Sequence, residues 1–376
     1  MDTILFFVSS TRHSCRNRLD GILTVAQKHK WHVQVIERAF QHVNVAEALD
    51  FWKPIGIIAE CGSRAEEMNR KSFGKTPAVY FERDPALGRG DTVLMLDSTA
   101  VGRLAAEELL TSGFSNFAYI PFPRDPTIYW SIERGEAFAD ELRTHGLAVH
   151  TPKNPENAAA LRTFLTSLPK PCAIFAANDQ VAVDVISLAI TAGFEIPRDL
   201  QVLGVDNDLE LCENSDPKVS SIDPDFLAAG FLAATQLEEM IEKKTRGTKL
   251  IKFRPIGVVR RRSTAPAPLD PNAKLSVRVN AFIAANINGG LKVPDIVRAF
   301  KISRRTLETQ YAAEAKQTLL EAIHDEVFKR ATQMARNRQL ASSAIPDFLQ
   351  VSHDTLNRIF LQRTGKTLHH WRQSCE

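Results

Sequence analysis

The pattern that most constrains this chain is an alternation sustained over its first 265 residues. Short apolar runs at residues 4–8, 33–36, 57–59, 93–96, 117–120, 173–177, 201–205 and 249–253 are separated by amphipathic segments such as 16–29. The runs are continuous rather than alternating polar and apolar, so each strand is expected to be covered on both faces. With helical patterns of roughly 10–15 residues between them, this predicts parallel sheets packed with helices on either side. In an α/β sheet of that kind ligands collect at the carboxyl ends of the strands, where loops and helix N-termini converge.

The residues at those ends form a set. Ser10 and Arg16 follow the first run, Glu60 the third and Asp97 the fourth, Arg134 and Trp130 lie in a later polar stretch, and Asn178 and Asp206 follow the runs ending at Ala177 and Val205. Taken singly, each reads first as a helix cap or a surface ion pair. Their recurrence after successive strands argues for a polyhydroxyl ligand. Each buried hydroxyl of such a ligand needs a donor and an acceptor, and leaving one unpaired costs roughly 1–3 kcal/mol. Trp130 offers an apolar ring face for a sugar's C–H side.

At 376 residues the chain is long enough for two or three cores. Its net charge of +3 is unevenly spread: residues 270–376 hold 16 lysines and arginines against 10 acidic residues. A basic end on an acidic body suits a polyanion. The cysteines Cys15, Cys61, Cys172, Cys212 and Cys375 are odd in number and scattered, which fits reduced thiols rather than a disulfide frame or a metal site. The start lacks the basic and apolar regions of an export signal, and no apolar stretch approaches the ~20 residues that span a bilayer. A cytoplasmic protein without membrane association, metal or other cofactor is expected.

Ala177-Asn178-Asp179-Gln180-Val181-Ala182, residues 201–208, residues 97–105 and the closing residues 257–264 resemble signature stretches of the Lac-repressor and periplasmic sugar-binding family, in matching order over about 260 residues. The resemblance implies two Rossmann-like lobes with a hinge and a sugar between them. Carried over by position, it places sugar contacts at Asp97, Arg134, Asn178 and Asp206, with Glu60 and Phe226 in less similar surroundings. Lac-type repressors carry a DNA-binding headpiece before the first strand. This chain starts within that strand, so a DNA-reading part is expected elsewhere.

The proline-rich joint 266–271 marks a boundary between a sensing domain, 1–265, and a helical domain, 272–376, where strand signals cease. Two segments there, 293–307 and 345–360, each show an apolar-periodic stretch, a break and a serine at the N-cap of a new helix. They lie about fifty residues apart, and DNA presents its major groove again roughly 34 Å along. The region resembles the AraC-family DNA-binding domain, with two helix-turn-helix units joined by a long helix and a closing Thr364-Gly365-x-Thr367-x-x-x-Trp371-Arg372. It departs from that family at Gln310-Tyr311, at Lys316 in place of glycine, at Leu368 in place of proline, and before the second recognition helix, where the glycine-aromatic turn is absent. The resemblance makes Ser303, Arg304, Arg305, Thr306 and Glu308 the exposed set of the first recognition helix. Ser352, His353, Thr355, Asn357 and Arg358 are that of the second. Arginine can bond guanine and asparagine adenine in bidentate fashion, whereas Lys301, Arg358, Arg363 and Lys366 suit phosphates.

A sugar-sensing body followed by an AraC-like module resembles the xylose-operon regulator family. The resemblance implies a sugar-responsive, DNA-binding activator of a pentose catabolic operon. Its partners would be double-stranded DNA half-sites, a small sugar effector, RNA polymerase and a second copy of the chain. Two alternatives stand beside it: a sugar-binding or transport component without sequence-specific DNA binding, and a sugar-metabolising enzyme using Asp97 or Asp206 as acid or base. No activated nucleophile, metal motif or Gly-x-Gly-x-x-Gly loop supports the enzyme.

Overall fold

In the computed structural model, residues 2–8, 13–37, 45–60, 70–83, 92–125, 128–243, 249–265, 274–287, 290–335, 345–346 and 349–373 are described. Ser10, Cys61, Cys375 and the joint 266–271 lie outside them. The chain divides into two units. The first comprises Met1–Ala100, Asp208–Glu210 and Pro224–Pro255, and the second Val101–Asn207, Leu211–Asp223 and Ile256–Glu376.

The first unit holds β1 (Thr3–Val8), β2 (His32–Glu37), β3 (Gly56–Glu60), β4 (Ala78–Phe81), β5 (Thr92–Leu96) and β11 (Lys249–Phe253) in one sheet of order β11-β5-β4-β3-β1-β2. Every pairing in it is parallel. The second unit holds β6 (Asn116–Ile120), β7 (Val149–His150), β8 (Cys172–Ala176), β9 (Leu200–Val205), β10 (Ser220–Asp223) and β12 (Gly257–Val259), in the order β12-β10-β9-β8-β6-β7. Only β12 runs antiparallel there. Strands β3, β5 and β8 are buried along their whole length, as the unbroken apolar runs require.

Four strands, β4, β7, β10 and β12, have no counterpart among the apolar runs. In β10 the reason is chemical: Ser220 and Ser221 are fully buried, and their hydroxyls donate to Arg261 O at 3.0 Å and Asp179 Oδ1 at 2.6 Å. Polar side chains that bond inside the core do not announce a buried strand.

Helix packing in both units depends on glycines where backbones touch. A Cβ at Gly230, in helix Phe226–Glu242, would lie 2.0 Å from Arg18 O of helix His13–His29. A Cβ at Gly21 would lie 2.1 Å from Leu227 O of the opposite helix. In the second unit, a Cβ at Gly102 would come within 2.4 Å of Arg134 O.

The described tail is helical: Leu275–Asn286, Val293–Phe300, Arg304–Ala315, Leu319–Ala335, His353–Thr364 and Leu368–Gln373. These helices enclose a core that includes Ile296, Leu307, Tyr311, Leu356 and Phe360, against which Ile256 also packs. The described tail groups with the second unit. Ser303 and Ser352 cap their helices by accepting from Thr306 N and Thr355 N, at 3.2 and 3.1 Å. Two residues before each serine the chain turns left-handed, at Lys301 (φ 54°) and Gln350 (φ 51°). Lys316, exposed at the end of helix Arg304–Ala315, is left-handed as well (φ 58°).

A left-handed L-residue costs roughly 1–2 kcal/mol, of which glycine's extra backbone entropy gives back roughly 0.5–1. Lys316→Gly is accordingly expected to stabilise the tail by about 0.5–1 kcal/mol, read by chemical denaturation. Gly230→Ala is expected to destabilise the first unit by more than about 1 kcal/mol, because helix backbone rather than a flexible side chain must yield.

Candidate ligand-binding site

In the second unit the candidate residues sit at the carboxyl ends of β8 and β9 and on helix Tyr129–Thr144. Asn178 follows β8 and caps helix Asp179–Thr191, its Oδ1 accepting from Val181 N at 3.0 Å. Its amide nitrogen is left as a donor. Asp206 follows β9 with φ 110°, and its amide donates to Ile222 O at 3.0 Å. A non-glycine residue held in that region stores strain that the surrounding sheet must impose, a state that clusters at ligand sites. Asn207 is committed to structure: Nδ2 donates to Asp223 Oδ2 at 3.0 Å, and Oδ1 accepts from Arg261 Nη2 at 2.9 Å.

Arg134 is the unusual group. Its guanidinium lies 4.6 Å above the Trp130 ring, donates from Nη1 to Ala177 O at 2.5 Å, and is only 5% exposed. Its Nε is buried without a hydrogen-bond partner, and no described carboxylate pairs with it. A charge removed from water without a countercharge is expensive, so this arrangement is poised for a polar ligand. One face of the Trp130 ring, the side chain assigned from sequence to a sugar, is stacked on Arg134.

The helix that carries both side chains is fixed from below. Tyr119 donates to Ser131 O at 2.6 Å, and Ser131 Oγ accepts from Phe122 N at 3.0 Å. Burial pushes the Tyr119 hydroxyl up to about 12, outweighing the Ser131 hydrogen bond and the Arg134 charge. Tyr119 therefore stays a neutral donor across the working pH range.

In the first unit, Arg16 does not turn towards Glu60. It is half exposed and pairs with Glu210 at 2.6 Å, itself 70% exposed. The inward arginine is Arg18, which the sequence reading passed over. Cys15, Arg18, Ile22, Val25 and Ala26 recur at helical spacing on the buried face of helix His13–His29, and an arginine on that stripe was the available signal. Its guanidinium lies between the Phe81 and Phe226 rings, at 4.7 and 4.5 Å, and donates from Nη1 to Glu60 Oε1 at 2.6 Å. Burial opposes the charge, but Glu60, with Glu82 3.9 Å away, more than compensates and raises the pKa of Arg18. Glu60 Oε2 accepts from Cys15 Sγ at 3.0 Å, so both of its oxygens are engaged. Glu60 and Phe226 thus hold Arg18. Asp97 caps helix Ser98–Leu110 by accepting from Ala100 N at 3.0 Å, and lies 3.5 Å from Arg254 Nε.

On the tail, Arg304, Arg305, Thr306, His353 and Arg358 are exposed. Glu308 pairs with Arg304 at 2.9 Å, and Arg363 pairs with Asp325. Asn357 is half-buried and accepts from Leu368 N at 3.3 Å, so it holds the last helix in place. Among the described residues no cluster suited to a metal occurs, and no helix is long and apolar enough to cross a membrane.

Comparison with known proteins places these features. Residues 106–264 match the model of a periplasmic binding protein-like domain. A stretch of 260 residues is 26% identical to the xylose operon regulatory protein of Haemophilus influenzae, covering 67% of this chain and 66% of the relative. The xylose operon regulatory protein of Escherichia coli strain K12 is 26% identical over 257 residues, 66% of this chain and 65% of the relative. The match thus spans just under two-thirds of each relative. A solved structure of a xylose-binding transcription activator superposes over 99% of this chain and 98% of its own, with a TM-score of 0.60 and 22% identity. The chain has a periplasmic-binding-protein-like α/β fold followed by a helical carboxyl-terminal region. It is similar to the xylose operon regulators.

Arg18→Met should cost about 3–5 kcal/mol in denaturant unfolding, because it strands the Glu60 carboxylate in the interior. Arg16→Met, removing an exposed pair, should cost less than about 1 kcal/mol.

Proposed function

We propose that the chain is a sugar-responsive transcriptional regulator that works by binding rather than catalysis. The observation that carries this reading is Arg134, a buried guanidinium stacked on Trp130 and lacking a described carboxylate partner. Sugar hydroxyls accept from such a donor and stack their C–H face on neighbouring rings without adding charge. In this reading Arg134, Asn178 and Asp206 at one sheet, and Asp97 at the other, recognise a small polyhydroxyl ligand. Arg18 and Glu60 shape the surface rather than touch it. The similarity to xylose operon regulators makes a pentose the first ligand to try.

The same proposal divides the chain into a sensing part, 1–265, a joint, 266–271, and a DNA-binding part, 272–376, of AraC type. Helices Arg304–Ala315 and His353–Thr364 would enter successive major grooves, with Arg304 and Arg305 at base edges and Lys301, Arg358 and Lys366 at phosphates. Asn357, whose amide oxygen accepts from Leu368 N, offers a base edge its amide nitrogen. A cytoplasmic homodimer activating sugar-catabolic genes through RNA polymerase completes the reading.

A thermal-shift screen against monosaccharides, D-xylose first, tests the ligand. Arg134→Ala and Asp206→Ala should each abolish the shift while leaving DNA affinity within about twofold; a retained shift places the ligand elsewhere. If the tail covers 6–10 phosphates, affinity for promoter DNA should fall about 10³–10⁵-fold between 50 and 200 mM salt. A flat salt profile rejects groove binding.

A further inference from the structure

Four charges are buried together where helix Ser98–Leu110 meets the tail. Glu108 takes a bidentate pair from Arg260, through Nε and, at 2.9 Å, Nη2. Arg260 also donates from Nη1 to Ala284 O of the first tail helix at 3.1 Å. From helix Leu319–Ala335 come Arg330, 3.8 Å from Glu108, and Glu326, 3.4 Å from Arg330 and 3.6 Å from Arg260. All four side chains are 14% exposed or less.

The two halves of this cluster differ in quality. The Arg260–Glu108 half is tight and hydrogen-bonded. On the tail side, Arg330 Nε and Nη2 and Glu326 Oε1 are buried without hydrogen bonds. Burial, with Arg260 beside it, lowers the Arg330 pKa despite the two carboxylates. Buried charges at 3.4–3.8 Å with unmet hydrogen bonds recover little of their lost hydration. The tail-side contact is therefore the weak link of the junction, and releasing it restores water to three unsatisfied atoms.

Glu108 also connects to the proposed ligand site. The helix that carries it presents Gly102 to Arg134 O, where an added Cβ would lie 2.4 Å away, and at about 1.5 Å per residue Gly102 and Glu108 lie about 9 Å apart along it. We propose that these charges form a latch through which the state of the ligand site governs the seating of the DNA-binding tail. A movement of Arg134 on a bound sugar is carried through Gly102 along helix Ser98–Leu110 to Glu108 and shifts the balance between docked and released tail. The latch rests on the functional reading above for its ligand, but not for its existence.

The test uses the full chain as wild type, Glu108→Gln, Arg330→Met, the double variant and Arg330→Lys. Without ligand, amide exchange in helix Leu319–Ala335 should accelerate about 10-fold in either single variant and no further in the double, with partial return in Arg330→Lys. Wild-type affinity for promoter DNA should change at least about fivefold with saturating D-xylose. That ratio should collapse towards one in the variants while their D-xylose affinity stays within about twofold. Unchanged or additive exchange overturns the latch. So does a variant that keeps the wild-type ratio, or a wild type that binds D-xylose without changing its DNA affinity. A wild type that binds no monosaccharide sinks the ligand reading instead, and the exchange measurements still decide whether the latch exists.

Discussion

Backbone contact between helices is the constraint on which the buried arginines Arg18 and Arg134 depend. In the first unit, helix His13–His29 presents Arg18 where Gly230 lets the neighbouring helix touch its carbonyl. In the second, helix Tyr129–Thr144 presents Arg134 where Gly102 does the same. At each contact the opposing helix carries no side chain, and its backbone meets the arginine's carbonyl. A methyl group there would push the helix outward and take the guanidinium with it. Small residues, not polar ones, therefore set the reach of the polar groups.

The buried arginines illustrate different solutions to one problem. Arg18 has a carboxylate at 2.6 Å and an aromatic ring on either side, so its charge is balanced within the fold. Arg134 has a ring and a carbonyl but no described countercharge. Arg330 has two carboxylates at distances too long for good hydrogen bonds. The same side chain finds balanced, open and strained environments because only its surroundings change, and scaffold, recognition and switching are the roles proposed for them.

The tail shows how a fold keeps its geometry when the expected residue is missing. The turns before Ser303 and Ser352 both need a left-handed residue, and Lys301 and Gln350 supply it in the same register. Lys316 does likewise at the helix end. A glycine would be cheaper at each point. The core of Ile296, Leu307, Tyr311, Leu356 and Phe360 holds the helices firmly enough to impose the conformation.

Much was legible in the sequence because burial on both faces leaves a one-dimensional record. Unbroken apolar runs marked β1, β3, β5, β8 and β9, and Glu60, Asp97, Asn178 and Asp206 fell at the carboxyl ends of the last four. The serine caps of the tail were equally local. What the sequence could not settle was partnership. Arg16 and Arg18 look alike on paper, and only the helix's rotation decides which meets Glu60 and which meets water. Asn357 gives no sign in the sequence that its amide oxygen accepts from Leu368 N. Ser220 and Ser221 look like a loop until Asp179 and the Arg261 carbonyl receive their hydroxyls. Glu108, Arg260, Glu326 and Arg330 are spread over more than two hundred residues of chain, and no local pattern joins them. Periodicity is written in neighbours along the chain, whereas the pairing of charges depends on distances of a few ångströms that exist only after the helices have packed.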